Sequence, residues 1–376
     1  SSVAPELPAA TAPAPATLGS SHRPVRLHLD RAPLSLAQQR MWLHQRLHPE
    51  TMRYLVPLSY RIRGPVDRTA LVAALEGLAV RHEALRTRVV QGPEGRPQQV
   101  IDAAGTIGTG HGGVVEEVRL DHMEPASRLW HAEQLAARFR AAPIDVAEAH
   151  PYKAQLIELS ATDHLLTIVF LHLAVDDHSV GVVTAELATL YADAMGMDRH
   201  LEELPAQFAD FAVWQRAQLA EGVHDASIDY WRATLGTAPR AAEVPGLRKN
   251  GRPGGTIHDH QVDLPPSVGR ALLEMADRNG VSPFQLLVAL TSIGLGRFTG
   301  ADSVLVGTPG SERRTAAHDA VVGLFINTMV LQTDLPPTAT FLDVLGQVRR
   351  RVGESLDHGA LPFDALLDAL GVPRES

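Results

Sequence analysis

The sequence has 376 residues, 45% of them hydrophobic and 20% charged, with no cysteine and a formal net charge of −9. That length suits two domains of roughly 150–200 residues, and the absent thiols exclude disulfides, thiolate zinc sites and a cysteine nucleophile. An acidic balance without a basic block argues against nucleic-acid binding.

No stretch approaches the roughly 18 consecutive apolar residues of a membrane helix, so neither nucleic acid nor membrane is an expected partner. A cysteine-free chain fits a reducing cytoplasm. The first residues lack the basic, apolar, small-residue order of a secretory signal. Ten of the first seventeen are Ala or Pro, and Glu6 is their single charge. Such a segment buries too little apolar surface to offset its ordering entropy, so 1–25 reads as an interdomain linker.

Beyond it, helical and strand patterns alternate. Ser35 precedes a helical stretch from Leu36 to Leu47, Tyr54 to Arg63 alternates like a strand, and Val66 to Arg81 has helical spacing. Val89 to Ile101 reads as a hairpin around Gly92-Pro93-Glu94-Gly95, and Leu129 to Ala141 as a helix. Ala154 to Leu159 and Leu165 to Leu173 read as paired strands, and Ser179 opens an amphipathic helix. After a polar junction at Arg199 to Gln207 come helices at Phe208 to Ala220 and from Asp229, then a strand at His258 to Leu264. Helices at Val268 to Asn279 and Phe284 to Arg297, strands at Ser303 to Gly307 and Ile326 to Leu335, and a helix at Phe341 to Leu356 complete the chain. This alternation implies an α/β (α+β) fold with mixed sheets covered by helices, once in 26–200 and again in 201–376.

Several motifs fail on context. Gly108-Thr109-Gly110-His111-Gly112-Gly113 fits G-x-G-x-x-G, but the β-branched residues that follow stand where a dinucleotide site needs a helix. No P-loop, G-x-S-x-G elbow or H-E-x-x-H motif is present. His172, Asp176 and His178 could gather around a metal, but no second cluster completes such a site, so none is expected. The stretch Leu171-His172-Leu173-Ala174-Val175-Asp176-Asp177-His178-Ser179 is more informative. An apolar strand there delivers one histidine into a short polar loop before a helix, a placement suited to a base or a polarising group. The nearby helix start favours the neutral imidazole and offers backbone N–H groups to a developing oxyanion.

Five further segments carry a family resemblance. Ser35-Leu36-Ala37-Gln38-Gln39-Arg40-Met41-Trp42, Arg81-His82-Glu83-Ala84-Leu85-Arg86-Thr87, Asp210-Phe211-Ala212-Val213-Trp214, Val322-Gly323-Leu324-Phe325-Ile326-Asn327-Thr328 and Leu361-Pro362-Phe363-Asp364 resemble five condensation-domain motifs of nonribosomal peptide synthetases. The His172 stretch falls where that family carries His-His-x-x-x-Asp-Gly. The resemblance implies two chloramphenicol-acetyltransferase-like halves forming a V-shaped pseudo-dimer with a central tunnel. It implies amide-bond formation between a donor and an acceptor thioester, each delivered on the phosphopantetheine arm of a carrier protein. No cofactor of the domain's own is implied. Neighbouring synthetase domains are implied as partners.

By the same resemblance His172 is the base or positioning residue, and Asp176 holds the loop through an arginine, for which Arg86 and Arg40 are the candidates. Asn327 and Thr328 fall on a strand near the junction of the halves, where hydrogen bonding and simple support are equally open. Trp42, Trp214 and Phe363 are expected in the core. Leu171, Asp177 and Ser179 are expected near the tunnel. Three departures stand out: Leu171 replaces the first histidine, Asp177 the glycine, and Gln332 an arginine that commonly ends the fifth motif. Asp177 is the most consequential, because it sets a carboxylate beside His172 where glycine would allow a positive φ and leave room for a thioester arm. An Asp-Asp ending resembles inactive condensation-like domains of glycopeptide synthetases, which recruit oxygenases; those alter the second histidine, which is kept here. The family's domains continue for several tens of residues after the sixth motif, so the second half is expected to be incomplete at its end. Two functions follow: an active condensation domain, or a catalytically inactive relative that recruits a tailoring enzyme.

Overall fold

The computed structural model describes residues 24–48, 53–92, 95–104, 115–236 and 261–372. The linker (but for its last residues), the hairpin tip at Pro93-Glu94, the Gly108–Gly113 loop and the start of the His258 strand fall outside these ranges. Residues 261–264, the remainder of that strand, form none.

The first half is built on β2 (Leu55–Arg63), β5 (Val115–Arg119), β6 (Tyr152–Ser160) and β7 (Asp163–Leu171), in the order β2-β7-β6-β5. All neighbours are antiparallel except β5 against β6. The period-two rule sorts the side chains of the two central strands. Ala154, Leu156, Leu166, Ile168 and Phe170 face α2 (Arg68–Arg81) and α4 (Asp177–Ala194), packing on Leu71, Leu75, Leu78 and Val183. Ile157 and Leu159 face the other way, against Ala132 and Ala136 of α3 (Pro125–Ala141). Both faces are therefore covered, so successive residues of both strands are buried whichever way they point. A second sheet, in the order β1-β4-β3, joins β1 (Arg31–Pro33), β4 (Pro97–Ile101) and β3 (Thr87–Gln91).

The second half holds α5 (Phe208–Ala220), α6 (Asp225–Leu235), α7 (Pro266–Arg278) and α8 (Pro283–Thr299), then β8 (Ser303–Ser311) and β9 (Ile326–Asp334) as an antiparallel pair. Helix α9 (Phe341–Asp357) packs on them through Val344, Leu345 and Val348, with Leu331, Leu286 and Ala289 in the same core; α10 (Phe363–Ala369) follows. The sixth-motif stretch thus leads into a short helix that its apolar spacing did not announce.

Helix α5 ties the halves together. Phe208 and Phe211 are fully buried among Ala37 and Met41 of α1 (Leu36–Leu47), Ala84, Val321, Leu324 and Phe325. Burying each ring is worth about 1.5–3 kcal/mol. Trp42, Trp214 and Phe363 each pack against one of the buried clusters, as core side chains. No single helix among the described residues is long and apolar enough to cross a membrane.

Candidate active site

Strand β7 ends at Leu171, whose side chain lies opposite Phe170 and is buried with Leu34, Val89, Val146 and Leu173. The leucine at the place of the motif's first histidine belongs to this core and does not line the site. His172 follows at the start of a tight turn closed by Ala174 N–H donating to the Leu171 carbonyl at 2.9 Å. The His172 backbone N–H donates to the Tyr54 carbonyl at 2.7 Å, which fixes where the side chain leaves the sheet.

The imidazole is half-buried, and its Nδ1 lies 2.7 Å from the Val175 carbonyl. A carbonyl oxygen only accepts, so Nδ1 carries a hydrogen and the neutral ring has its lone pair on Nε2. Nε2 has no protein partner among the described residues. The loop thus presents a proton acceptor of defined tautomer.

Asp176 holds this loop from the far side. It is the N-cap of α4, and its Oδ1 accepts from the Ser179 N–H and hydroxyl, both at 2.7 Å. The helix therefore begins at Asp177, two residues before Ser179, because an aspartate at the N-cap satisfies an orphan amide of the first turn. The partner of Asp176 is Arg313: Nη2 lies 3.0 Å from Oδ1 and 3.3 Å from Oδ2, with both side chains nearly inaccessible. Phe325 N–H donates to Oδ2 at 3.0 Å. Arg313 also donates through Nη1 to the carbonyls of His318 and Val321, and its guanidinium lies over the Phe325 ring at 4.1 Å.

Neither expected arginine reaches Asp176. Arg86 ends a short 3-10 turn and donates to the Asp102 carbonyl and to Glu83. Arg40 faces α10, pairing with Asp364 at 3.2 Å and covering the Phe363 ring. Arg40 joins the first motif to the sixth, Arg86 bonds within its own motif and to the strand end at Asp102, and neither holds the histidine loop.

The family model for the condensation domain matches residues 28–376. The chain belongs to the condensation domain family. It is 34% identical over 346 residues to the phosphinothricin tripeptide synthetase PhsC of Streptomyces viridochromogenes, covering 91% of this chain and 31% of that protein. To a linear gramicidin synthase from Brevibacillus parabrevis it is 33% identical over 346 residues, 91% of this chain and 4% of that one. The chain thus spans a small part of the curated relatives it matches. Among solved structures, the X-domain from teicoplanin biosynthesis superposes with a TM-score of 0.78 at 27% identity, covering 92% of this chain and 75% of that chain. The first condensation domain of the calcium-dependent antibiotic synthetase, at 24% identity, shares the fold with a TM-score of 0.73 over 92% of this chain and 80% of its own. The fold is that of this family, a mixed α/β pseudo-dimer of two acetyltransferase-like halves.

The remaining site residues of this condensation domain divide sharply. Asp177 is the first residue of α4 and is exposed; it has no positive φ and makes no ion pair with His172. The expected carboxylate–histidine contact is not formed, because the helix turns Asp177 outward, and the position has no need of glycine's conformational freedom. Ser179 is fully buried, and its hydroxyl sits between Asp176, Arg313 and both backbone groups of Gly323, so it lines no path. Asn327 is buried and fully engaged: Nδ2 donates to the Gly359 and Leu361 carbonyls, and Oδ1 accepts from Phe363 N–H. It clamps the turn between α9 and α10. Thr328 sits on β9 opposite Pro309 and is half-buried. Gln332, at the place of the missing arginine, bonds Ser303 and Asp334 on the outer end of β8 and β9. His172 and His178 donate to different carbonyls, those of Val175 and Asp319, and no metal-like group of three occurs among the described residues.

Two contributors went unread in the sequence. Arg313 lies 137 residues from Asp176, and no local pattern links them. Gly323 stands against Phe208 so closely that a Cβ would overlap the ring, a close approach signalled only by a glycine inside a motif.

Proposed function

We propose that this chain is an active condensation domain that forms an amide between a donor acyl or peptidyl thioester and an acceptor aminoacyl thioester. The family catalyses amide-bond formation, and the observation that carries the reading for this member is the free Nε2 of His172, held as the acceptor tautomer by Val175. The substrates arrive on phosphopantetheine arms of a donor and an acceptor carrier protein, entering a tunnel between the halves, and the domain binds no cofactor of its own. The acceptor amine attacks the donor carbonyl carbon as its proton passes to Nε2. A C–N bond forms, the C–S bond breaks, and the leaving thiolate takes a proton. The Asp177 and His178 amides, in the first turn of α4, are the backbone donors available to the oxyanion.

With donor- and acceptor-loaded carriers, the protein should yield condensed product. Because general-base help is worth about 10²–10⁴-fold, His172→Ala should lose that much rate while staying folded. An unchanged rate in the variant overturns the assignment.

A second reading has its own support. The likeness to the teicoplanin X-domain, which was also solved as a complex with OxyB at a TM-score of 0.77 to this chain, favours a non-catalytic domain that recruits a tailoring enzyme. Leu171, Asp177 and Gln332 depart from the motif in the same direction. Co-purification of a tailoring enzyme without any condensed product would support it, and robust product would remove it.

A further inference from the structure

The first motif supplies a glutamine whose two amide ends do different work. Gln38 is 2% exposed on the first turn of α1. Its Oε1 accepts from the Ser35 backbone N–H at 3.1 Å, one arm of a capping box whose other arm is Ser35 Oγ accepting from Gln38 N–H at 3.2 Å. Its Nε2 donates to the Leu173 carbonyl at 3.1 Å, across 135 residues of sequence. The amide orientation is fixed by chemistry, since an N–H donates at one end and a carbonyl accepts at the other.

Leu173 is the residue after His172, inside the four-residue turn that ends with Val175 receiving the imidazole. The turn is thus pinned at three points. Tyr54 holds its start, Asp176 holds its end, and Gln38 holds its middle. The middle contact is the one made by a side chain of the first motif, from helix α1. A capping box accepts Glu or Gln equally well, and in the first turn the macrodipole favours Glu. A glutamate here would set a carboxylate against the Leu173 carbonyl, so capping alone does not account for the glutamine.

We infer that Gln38 is a positioning residue for His172, acting through the Leu173 carbonyl to set the angle at which Nε2 meets the attacking amine. The inference rests on the reading of His172 as the catalytic acceptor, and its consequence for the histidine itself is measurable without turnover. A misplacement of about 1 Å in a catalytic group costs about 10²-fold, so loss of this prop should cost about 10- to 100-fold.

The discriminating variant is Gln38→Glu, which keeps the capping acceptor and puts a carboxylate oxygen in place of the donor to Leu173. In the full chain, the ¹⁵N resonances of the His172 imidazole should shift in Q38E, reporting a weakened Nδ1–H bond to Val175. With loaded carriers, kcat should fall about 10- to 100-fold with KM for both carriers unchanged. Gln38→Met, which fills the space without either bond, should show the same kcat loss together with lower stability. Unmoved His172 resonances in folded Q38E overturn the inference. So does an unmoved kcat. If the wild-type protein forms no product yet the resonances shift, the role of Gln38 stands and the condensation reading fails.

Discussion

Removing the Asp176 carboxylate should cost more than any other single change near the site. In Asp176→Ala the helix loses its N-cap, worth about 1 kcal/mol. Arg313, with its side chain only 4% exposed, is left as a buried charge without its counter-ion, and breaking such a pair costs about 3–5 kcal/mol. Phe325 N–H also loses its acceptor, adding about 1 kcal/mol or more. These contributions overlap, so a loss of about 4–6 kcal/mol is expected by urea unfolding. That is a large share of the roughly 5–15 kcal/mol available to a folded domain. The cleaner measurement is a double-mutant cycle of Asp176→Asn with Arg313→Met. If the two groups sustain each other, the double variant should be more stable than the sum of the singles predicts by about 2 kcal/mol. Additivity within about 0.5 kcal/mol, or an Asp176→Ala variant less than 1 kcal/mol below wild type, would falsify the claim that this pair locks the loop.

Three other outcomes follow from the same geometry. Gly323→Ala should destabilise the junction of the halves by about 1–3 kcal/mol, because its methyl meets the immobile Phe208 ring; a Tm equal to wild type would show that the ring yields freely. Glu312 is buried against Gln215, and burial pushes its carboxyl up from the ordinary 4.5 to about 8. The native state then keeps a proton that the unfolded chain releases, so this group's contribution to stability declines as pH rises from about 4.5 to about 8. Glu312→Gln should therefore gain stability over wild type at pH 8–9 and gain none near pH 4, and a gap that does not change with pH counts against the burial argument. Asp177→Gly should lose up to about 1 kcal/mol through helix propensity and the macrodipole, with condensation rate within about threefold, since the side chain is exposed; a tenfold gain would mean that Asp177 obstructs the thioester after all.

How much of this was legible in the sequence depends on distance along the chain. The buried pair of strands ending at Leu171 was readable because both faces are covered and the stretch from Leu165 to Leu171 is apolar but for Thr167. The delivery of His172 into a polar loop followed directly. The direction of Leu171 was readable in principle from alternation with Phe170, but proximity to a motif drew it toward the site. The start of α4 was misplaced by two residues because Asp176-Asp177 offers two capping carboxylates before Ser179, and only backbone geometry selects the first. The partner of Asp176 was not legible, since Arg86 and Arg40 belong to motifs while Arg313 does not, and tertiary packing alone decides which guanidinium arrives. Residues 261–264 alternate as a strand would, yet no strand among the described residues pairs with them and they form none.

The Ser179 hydroxyl has a mechanical consequence. It donates one proton toward Asp176 or Gly323 and receives the Gly323 and Arg313 N–H groups, while Phe325 and Arg313 bind the adjacent carboxylate. Pulling the start of α4 away from Arg313 and residues 321–325 would rupture the bonds to Arg313, Gly323 and Phe325 together in a buried place, each at about 1 kcal/mol or more. The protein thus has a buried polar anchor beneath the His172 loop. Ser179 and helix α5 therefore join the same two parts of the chain by different means, one through hydrogen bonds and the other through buried aromatic rings.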